Sequence, residues 1–219
     1  MKYFLLKNAT MRKEIGCFPQ CEGVPDGYNF GMYDKSNSIT NLNNDTFPDF
    51  DPEIIVQLDR KAKLTDVVSH TNFHCRGLFV NEKVKSILEQ FNLPEHKFFE
   101  GILIYQDKKI PYYWFHLVKK DLQGINFAQS EFRTGFSPNN LDDEILQINT
   151  LEDFNNIIEN NPKFVGGAKI ILEEEYQKFN LDLIYFPFIH FYIFISENVA
   201  NLLIKEKVSG IEIIEQKFL

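Results

Sequence analysis

The chain has 219 residues, 44% of them apolar and 25% charged, with a formal net charge of −8. Such a length and balance bury a real core, which excludes a disordered or fibrous chain. Three cysteines are too few for a disulfide-stapled secreted domain, and the acidic excess disfavours nucleic acid and anionic lipid as partners.

The excess is unevenly placed. Residues 1–141 carry 17 basic and 17 acidic side chains, so all of it lies in residues 142–219. The 22 phenylalanines point to an aromatic core. The opening MKYFLLKNATMRKE has too short an apolar run for a secretory signal. The longest apolar stretch, Ile184–Ile195, is broken by Pro187 and His190 and is too short to span a bilayer. The expectation is a soluble cytoplasmic protein.

In chain order, Lys2–Leu6 reads as a first strand. Residues 16–52 are rich in Gly, Pro, Asn and Asp, as an irregular region with turns. Glu53–Leu58 is a strand, Leu64–Ser69 a short turn or extended segment, and Gly77–Val80 a strand. Asn81 is placed to cap a helix whose apolar face is Val84, Ile87, Leu88 and Phe91, with Pro94 at its end. Lys97–Tyr105 and Ile110–Val118 read as a hairpin across the turn QDKK. Residues 121–149 give no clear pattern, and GFSPNNLDDE reads as a loop. Thr150 and Asp153 form a capping box ahead of a helix burying Leu151, Phe154, Ile157 and Ile158, closed by Pro162 and Gly166-Gly167. Ala168–Leu172 and Phe191–Ile195 read as strands, Ser196 as the cap of a helix with Val199, Leu202 and Leu203, and Gly210–Ile214 as the last strand.

Two of these stretches spell the same unit. Aligning Phe79 with Phe194 sets an offset of 115 that also pairs Asn81 with Ser196, Glu82 with Glu197, Val84 with Val199 and Leu88 with Leu203. The same offset pairs Ile55-Val56 with Ile170-Ile171 and Phe98-Phe99-Glu100 with Ile213-Ile214-Glu215, without a gap over about 46 residues. A duplicated unit explains this better than convergence. The predicted fold is therefore α+β. Mixed or antiparallel sheet with flanking helices is built from two related strand–strand–helix–strand units, at about 54–100 and 169–215. It forms one domain, or two lobes at residues 1–125 and 126–219. Asn81-Glu82 and Ser196-Glu197 are explained as helix starts, not as catalytic pairs.

The sequence carries no readable reaction chemistry. Cys17 and Cys21 with His70, His74 and Cys75 are the ligand types zinc takes, but the two histidines precede a strand and not a helix, and no metal is expected. There is no phosphate-binding Gly-rich loop, and none of the serine-hydrolase or zinc-protease motifs occurs. The carboxylate runs Asp142-Asp143-Glu144 and Glu173-Glu174-Glu175 read as solvated surface. No catalytic residue and no cofactor are expected.

Over Ser69–Phe99, around Val80-Asn81-Glu82-Lys83, and again at Ile195-Ser196-Glu197 and Gly210-Ile211-Glu212-Ile213, the chain resembles a group of bacterial proteins. These are the immunity-protein families of polymorphic toxin systems, in particular immunity protein 11 and immunity protein 43. Asn81 stands where that pattern has Ser, and Ile213 where it has an aromatic residue. The resemblance implies a non-enzymatic cytoplasmic protein that binds and neutralises a cognate toxin. The acidic end of the chain makes a basic toxin the expected partner. The irregular and acidic segments supply the candidate contacts, Asp45, Asp49, Asp51, Asp142, Asp143 and Glu144. The alternatives are a scaffold or regulatory binding module, and an enzyme with an unrecognised pocket.

Overall fold

The computed structural model describes residues 2–21, 37–70, 77–118, 124–137, 140–186 and 193–215, with the side chains of 40, 136, 137, 140 and 143 outside that description. Among the described residues the fold is α+β, with three sheets and short helices. The five-stranded sheet runs β2(Ile55–Gln57)-β5(His96–Tyr105)-β6(Lys108–Leu117)-β4(Gly77–Val80)-β3(Val67–Val68). It is antiparallel except where β2 lies parallel to β5. The four-stranded sheet runs β10(Leu183–Tyr185)-β11(Ile193–Ser196)-β1(Tyr3–Asn8)-β12(Ile211–Glu215), antiparallel throughout. A third, antiparallel sheet runs β8(Asn140–Leu146)-β7(Glu131–Ser137)-β9(Phe164–Lys169).

The local chemistry that predicts the helices operates in them. α2 (Glu82–Leu88) begins where the Asn81 side chain accepts from the Val84 N–H at 3.1 Å. α5 (Glu197–Lys205) begins where Ser196 Oγ accepts from the Val199 N–H at 3.3 Å. α3 (Leu151–Asn160) carries the full Thr150–Asp153 capping box. The β5–β6 hairpin turns through Gln106 and Asp107, both with positive φ, as a right-twisted ribbon with a two-residue loop requires. Two helical turns had no signal in the sequence: α1 (Arg12–Ile15) and α4 (Glu174–Gln177).

The repeat is realised as architecture. In one unit β4, α2 and β5 flank the central strand β6; in the other β11, α5 and β12 flank β1. Phe79 and Phe99 both pair with Trp114, while Phe194 and Ile214, the offset partners, both pair with Leu5. Val80 and Glu100 meet Tyr113; Ile195 and Glu215 meet Phe4. The offset of 115 thus holds in register across β4–α2–β5 and β11–α5–β12. It slips by one residue at the edge, where Val67 opposes Val80 but Leu183 opposes Ile195.

The first strand of the predicted unit differs between the copies. β2 joins its sheet beside β5, whereas Ile170-Ile171 follow β9, with the Ile171 carbonyl accepting from Asn126 N at 2.8 Å and Leu172 bridging Ile125. Gly166-Gly167, expected to close α3, instead lie inside β9. A Cβ on Gly166 would meet the Phe164 ring at 2.7 Å and Leu141 at 3.0 Å, so this glycine serves close packing.

The units lock together reciprocally. The Asp66 carboxylate accepts from Ser209 N and Ser209 Oγ, each at 2.8 Å, in the loop after α5. The Asp182 carboxylate accepts from Asn92 N at 3.0 Å, in the loop after α2. Each aspartate also holds its own unit's cap, Asp66 through Asn81 Nδ2 at 2.8 Å and Asp182 through Ser196 Oγ at 2.6 Å. Burial works against the Asp66 charge, but the bonds from Ser209 and Asn81 and the nearby Lys83 outweigh it, holding its carboxyl below the usual range.

α2 packs on β4 and β6, α5 on β1 and β11, and the two helices touch. Val80, Phe115, Leu6, Ile195, Val84, Leu88, Val199 and Leu203 join in one core shared by both sheets. The far side of the four-stranded sheet, with Leu5 and Phe194, is covered by the three-stranded sheet and α3 through Phe132 and Phe154. The far side of the five-stranded sheet, with Phe79, Phe99 and Trp114, is covered by Leu42 from the irregular N-terminal region and by Leu58 and Ala62 from the segment after β2. Each such aromatic, fully buried, contributes about 1.5–3 kcal/mol.

Candidate functional site

β5 and β6 are ten residues each, but α2 is seven. The helix covers the inner face of the sheet only as far as Tyr113. There Lys85 Nζ lies 4.3 Å from the Tyr113 ring centroid. A hydrogen bond from the Tyr113 hydroxyl pulls the Glu82 carboxyl below, and pushes the phenol above, its ordinary range. Beyond Tyr113 no described element covers the same face, where Ile55 and Ile102 are half-buried and Pro111 is exposed. Ile55, Ile102 and Pro111 stand opposite one another across β2, β5 and β6. They line an open groove of about 580 Å³ with Tyr113, rimmed by Glu53, Glu100 and Lys109.

The opposite face of these strands is closed. Val56, Leu103, Tyr112 and Trp114 are buried, and the Tyr112 hydroxyl donates to the Thr65 carbonyl. Desolvation raises the Tyr112 phenol, leaving it a neutral donor. A β-sheet face with no covering element is expected to alternate to polar residues. Here the uncovered positions read Ile55, Ile102, Ile104 and Pro111. That apolar run on both faces of the hairpin was the signal in the sequence for this groove, and the contacts expected from charge alone missed it.

The expected contact residues fall in two separate places. Asp45, Asp49 and Asp51 are exposed on the N-terminal covering of the five-stranded sheet. Asn43 Oδ1 accepts from the Asp45 and Thr46 N–H groups, and the Asn44 amide donates to the Leu117 carbonyl, which fixes this turn over His116. His116 is fully buried; burial lowers its pKa, against the carbonyls of Thr46 and Asn43, which favour the charged ring. Asp51 reaches Lys97 at 3.8 Å with its side chain 97% exposed.

Asp142 and Glu144 are also exposed, but in β8 and not in a loop, which corrects the reading of GFSPNNLDDE. Strand pairing with β7 is what orders this polar stretch. Asp142 bonds Lys163 Nζ at 2.8 Å and Thr134 Oγ1 at 2.9 Å, and these hold its carboxyl below the usual range. The side chain of Asp143 lies outside the described residues. The structure therefore does not gather the six acids into one site.

Of the zinc-type residues, Cys21 and His70 do come together, bridging side by side, with Cys21 N donating to the Ser69 carbonyl at 3.0 Å. Cys21 is fully buried, which pushes its thiol well up, and Cys17 is half-buried with Sγ 3.6 Å from the Pro19 carbonyl. His70 packs edge-on against Trp114. His74 and Cys75 lie outside the described residues. Among those described, no three His, Cys, Asp or Glu side chains are grouped to hold a metal ion.

No protein-family model matches the chain, and no curated protein matches it. No helix among the described residues is long and apolar enough to cross a membrane.

Proposed function

We propose that the protein works by binding another protein, as an immunity-type partner that neutralises a cognate toxin in the cytoplasm and catalyses no reaction. The observation that carries this reading is the apolar strip Ile55–Ile102–Pro111, covered by no described element and rimmed by Glu53, Glu100 and Lys109. Contiguous exposed apolar surface with a polar rim is the signature of a protein-docking patch. Glu82 and Glu89, on and just beyond α2, flank Tyr113 with Lys85 between them and leave a net negative charge there, which favours a partner presenting apolar side chains among lysines or arginines. The resemblance at Val80–Lys83 and Ile195–Glu197 supplies the toxin as the kind of partner.

The test is co-expression with the toxin encoded beside this chain, with affinity measured on the purified pair. A one-to-one complex and rescued growth are expected. Ile102→Lys puts a like charge before a basic partner and removes a central apolar anchor, so affinity drops by about 100-fold or more, while the urea midpoint moves little because Ile102 is only half-buried. Failure of the wild-type chain to rescue growth removes the toxin reading. Full affinity in Ile102→Lys removes the groove as the contact.

A further inference from the structure

Charge counted along the sequence conceals a grouping that the fold creates. α1 and the residues after it pack on the turn at 59–64: Lys63 N donates to the Ile15 carbonyl at 2.8 Å, and the Gly16 backbone abuts Lys61 and Ala62. Lys63 Nζ reaches the Lys13 carbonyl at 2.8 Å, and Gln20 Nε2 the Lys63 carbonyl at 2.8 Å. This brings Arg12 and Lys13 beside Arg60, Lys61 and Lys63, all five exposed.

Among the described residues none of the five forms an ion pair. Elsewhere Lys2, Lys7, Lys83, Lys85, Lys97, Lys163 and Lys178 each face a carboxylate, while Lys108, Lys109, Lys169, Lys205 and Lys207 also form no ion pair among the described residues, so what sets this corner apart is the grouping of its five cations. The two acids of these segments are turned to other work. Glu14 accepts from Gly210 N at 2.8 Å, and Asp59 Oδ1 from the Lys61 N–H at 2.7 Å. The same two segments also carry three of the most exposed large apolar side chains among the described residues: Met11 at 63%, Phe18 at 53% and Leu64 at 43%.

We infer that this corner is a docking surface for an anionic lipid bilayer. Unpaired cations around projecting Met, Phe and Leu match the two layers of such a surface. The cations meet lipid phosphates, and the apolar side chains enter the acyl boundary. Met11 and Leu64 are each next in the chain to a cation, Arg12 and Lys63, so apolar insertion and phosphate contact fall at the same points, which suits a lipid boundary better than the broad apolar centre of a protein interface. The patch belongs to the N-terminal covering on the outer side of the five-stranded sheet. The Ile102 groove opens on its inner side, so both surfaces can be engaged at once. The inference does not depend on the toxin reading.

The experiment is co-sedimentation of the full chain with phosphatidylcholine vesicles, with and without about 30 mol% phosphatidylglycerol, at low and high salt. Binding is expected only with the anionic lipid, weakening by about tenfold or more as salt rises through the physiological range. Replacing Arg12, Lys13, Arg60 and Lys61 with Glu, and separately Met11, Phe18 and Leu64 with Ser, each reduces binding by about tenfold or more. Both variants change exposed positions only, and an unchanged urea midpoint verifies their fold. No binding to anionic vesicles at low salt overturns the inference. So does binding that survives the three Ser substitutions, or capture of an acidic polypeptide such as polyglutamate without vesicle binding.

Discussion

Removing the Asp66 carboxylate should loosen the join between the two units. Its side chain is 17% exposed and accepts three hydrogen bonds at 2.8 Å, two of them from Ser209 across the join. Bonds to a charged acceptor are worth about 1.5–3 kcal/mol each in partly buried settings. Water reaching the vacated site recovers part of that, so Asp66→Ala is expected to cost about 2–4 kcal/mol in total. Urea unfolding followed through Trp114, the one tryptophan and fully buried, reads this as a midpoint lowered by roughly 1 M or more. Asp66→Asn keeps the shape and removes the charge, so it isolates the electrostatic part. The folded carboxyl titrates below its unfolded value of about 3.9. Its stabilisation is therefore complete above about pH 5 and drains away as pH falls through the folded value. The gap between wild type and Asp66→Asn should be constant from about pH 7 to 5 and narrow below about pH 4. A cost for Asp66→Ala under about 0.5 kcal/mol, or a gap that ignores pH, refutes the lock.

Two further substitutions probe the local chemistry. Gly210 has φ +84°, and a Cβ there would lie 1.9 Å from the Val67 carbonyl oxygen. Gly210→Ala should cost about 2–4 kcal/mol, more than any surface change, measured by the same unfolding curve. Thr150→Ala removes the oxygen that caps α3 at Asp153 N. It should cost about 1 kcal/mol, with hydrogen exchange accelerating in Leu151–Asn160 before elsewhere.

What the sequence made legible was local. Asn81, Ser196 and the Thr150–Asp153 pair announce helix starts because a cap needs only a side-chain oxygen within three residues of an N–H. The β5–β6 hairpin is legible for the same reason, since its register follows from the turn. The placement of β1 is not, because its partners Ile193–Ser196 and Ile211–Glu215 lie about 190 and about 205 residues away, and nothing in KYFLL names them. β7 and β8 escape notice because Gly135 and Leu141 sit among register shifts that break the two-residue alternation. The first-strand correspondence misleads because Ile55-Val56 and Ile170-Ile171 are both merely apolar, and an apolar pair says nothing of which neighbour it will take. The candidate contacts were chosen by charge alone, and an acid such as Asp142 is as readily spent on Lys163 as on a partner. The Arg12–Lys63 cluster is invisible for the complementary reason: its members are some 50 residues apart, and the two acids of these segments bond backbone N–H groups, Glu14 at Gly210 and Asp59 at Lys61, and not the cationic side chains.

β6 and β1 do the same job in their two sheets, yet one follows its helical unit directly while the other precedes every other described element. On the ribosome this gives the halves different fates. The half around Trp114 holds its central strand as soon as that hairpin emerges. Tyr3–Asn8 is made early and must wait, its greasy side chains unaccompanied, until Ile211–Glu215 has been translated. That early strand is thus among the last of the described elements to find its place, and any chaperone demand this protein has should fall on that wait.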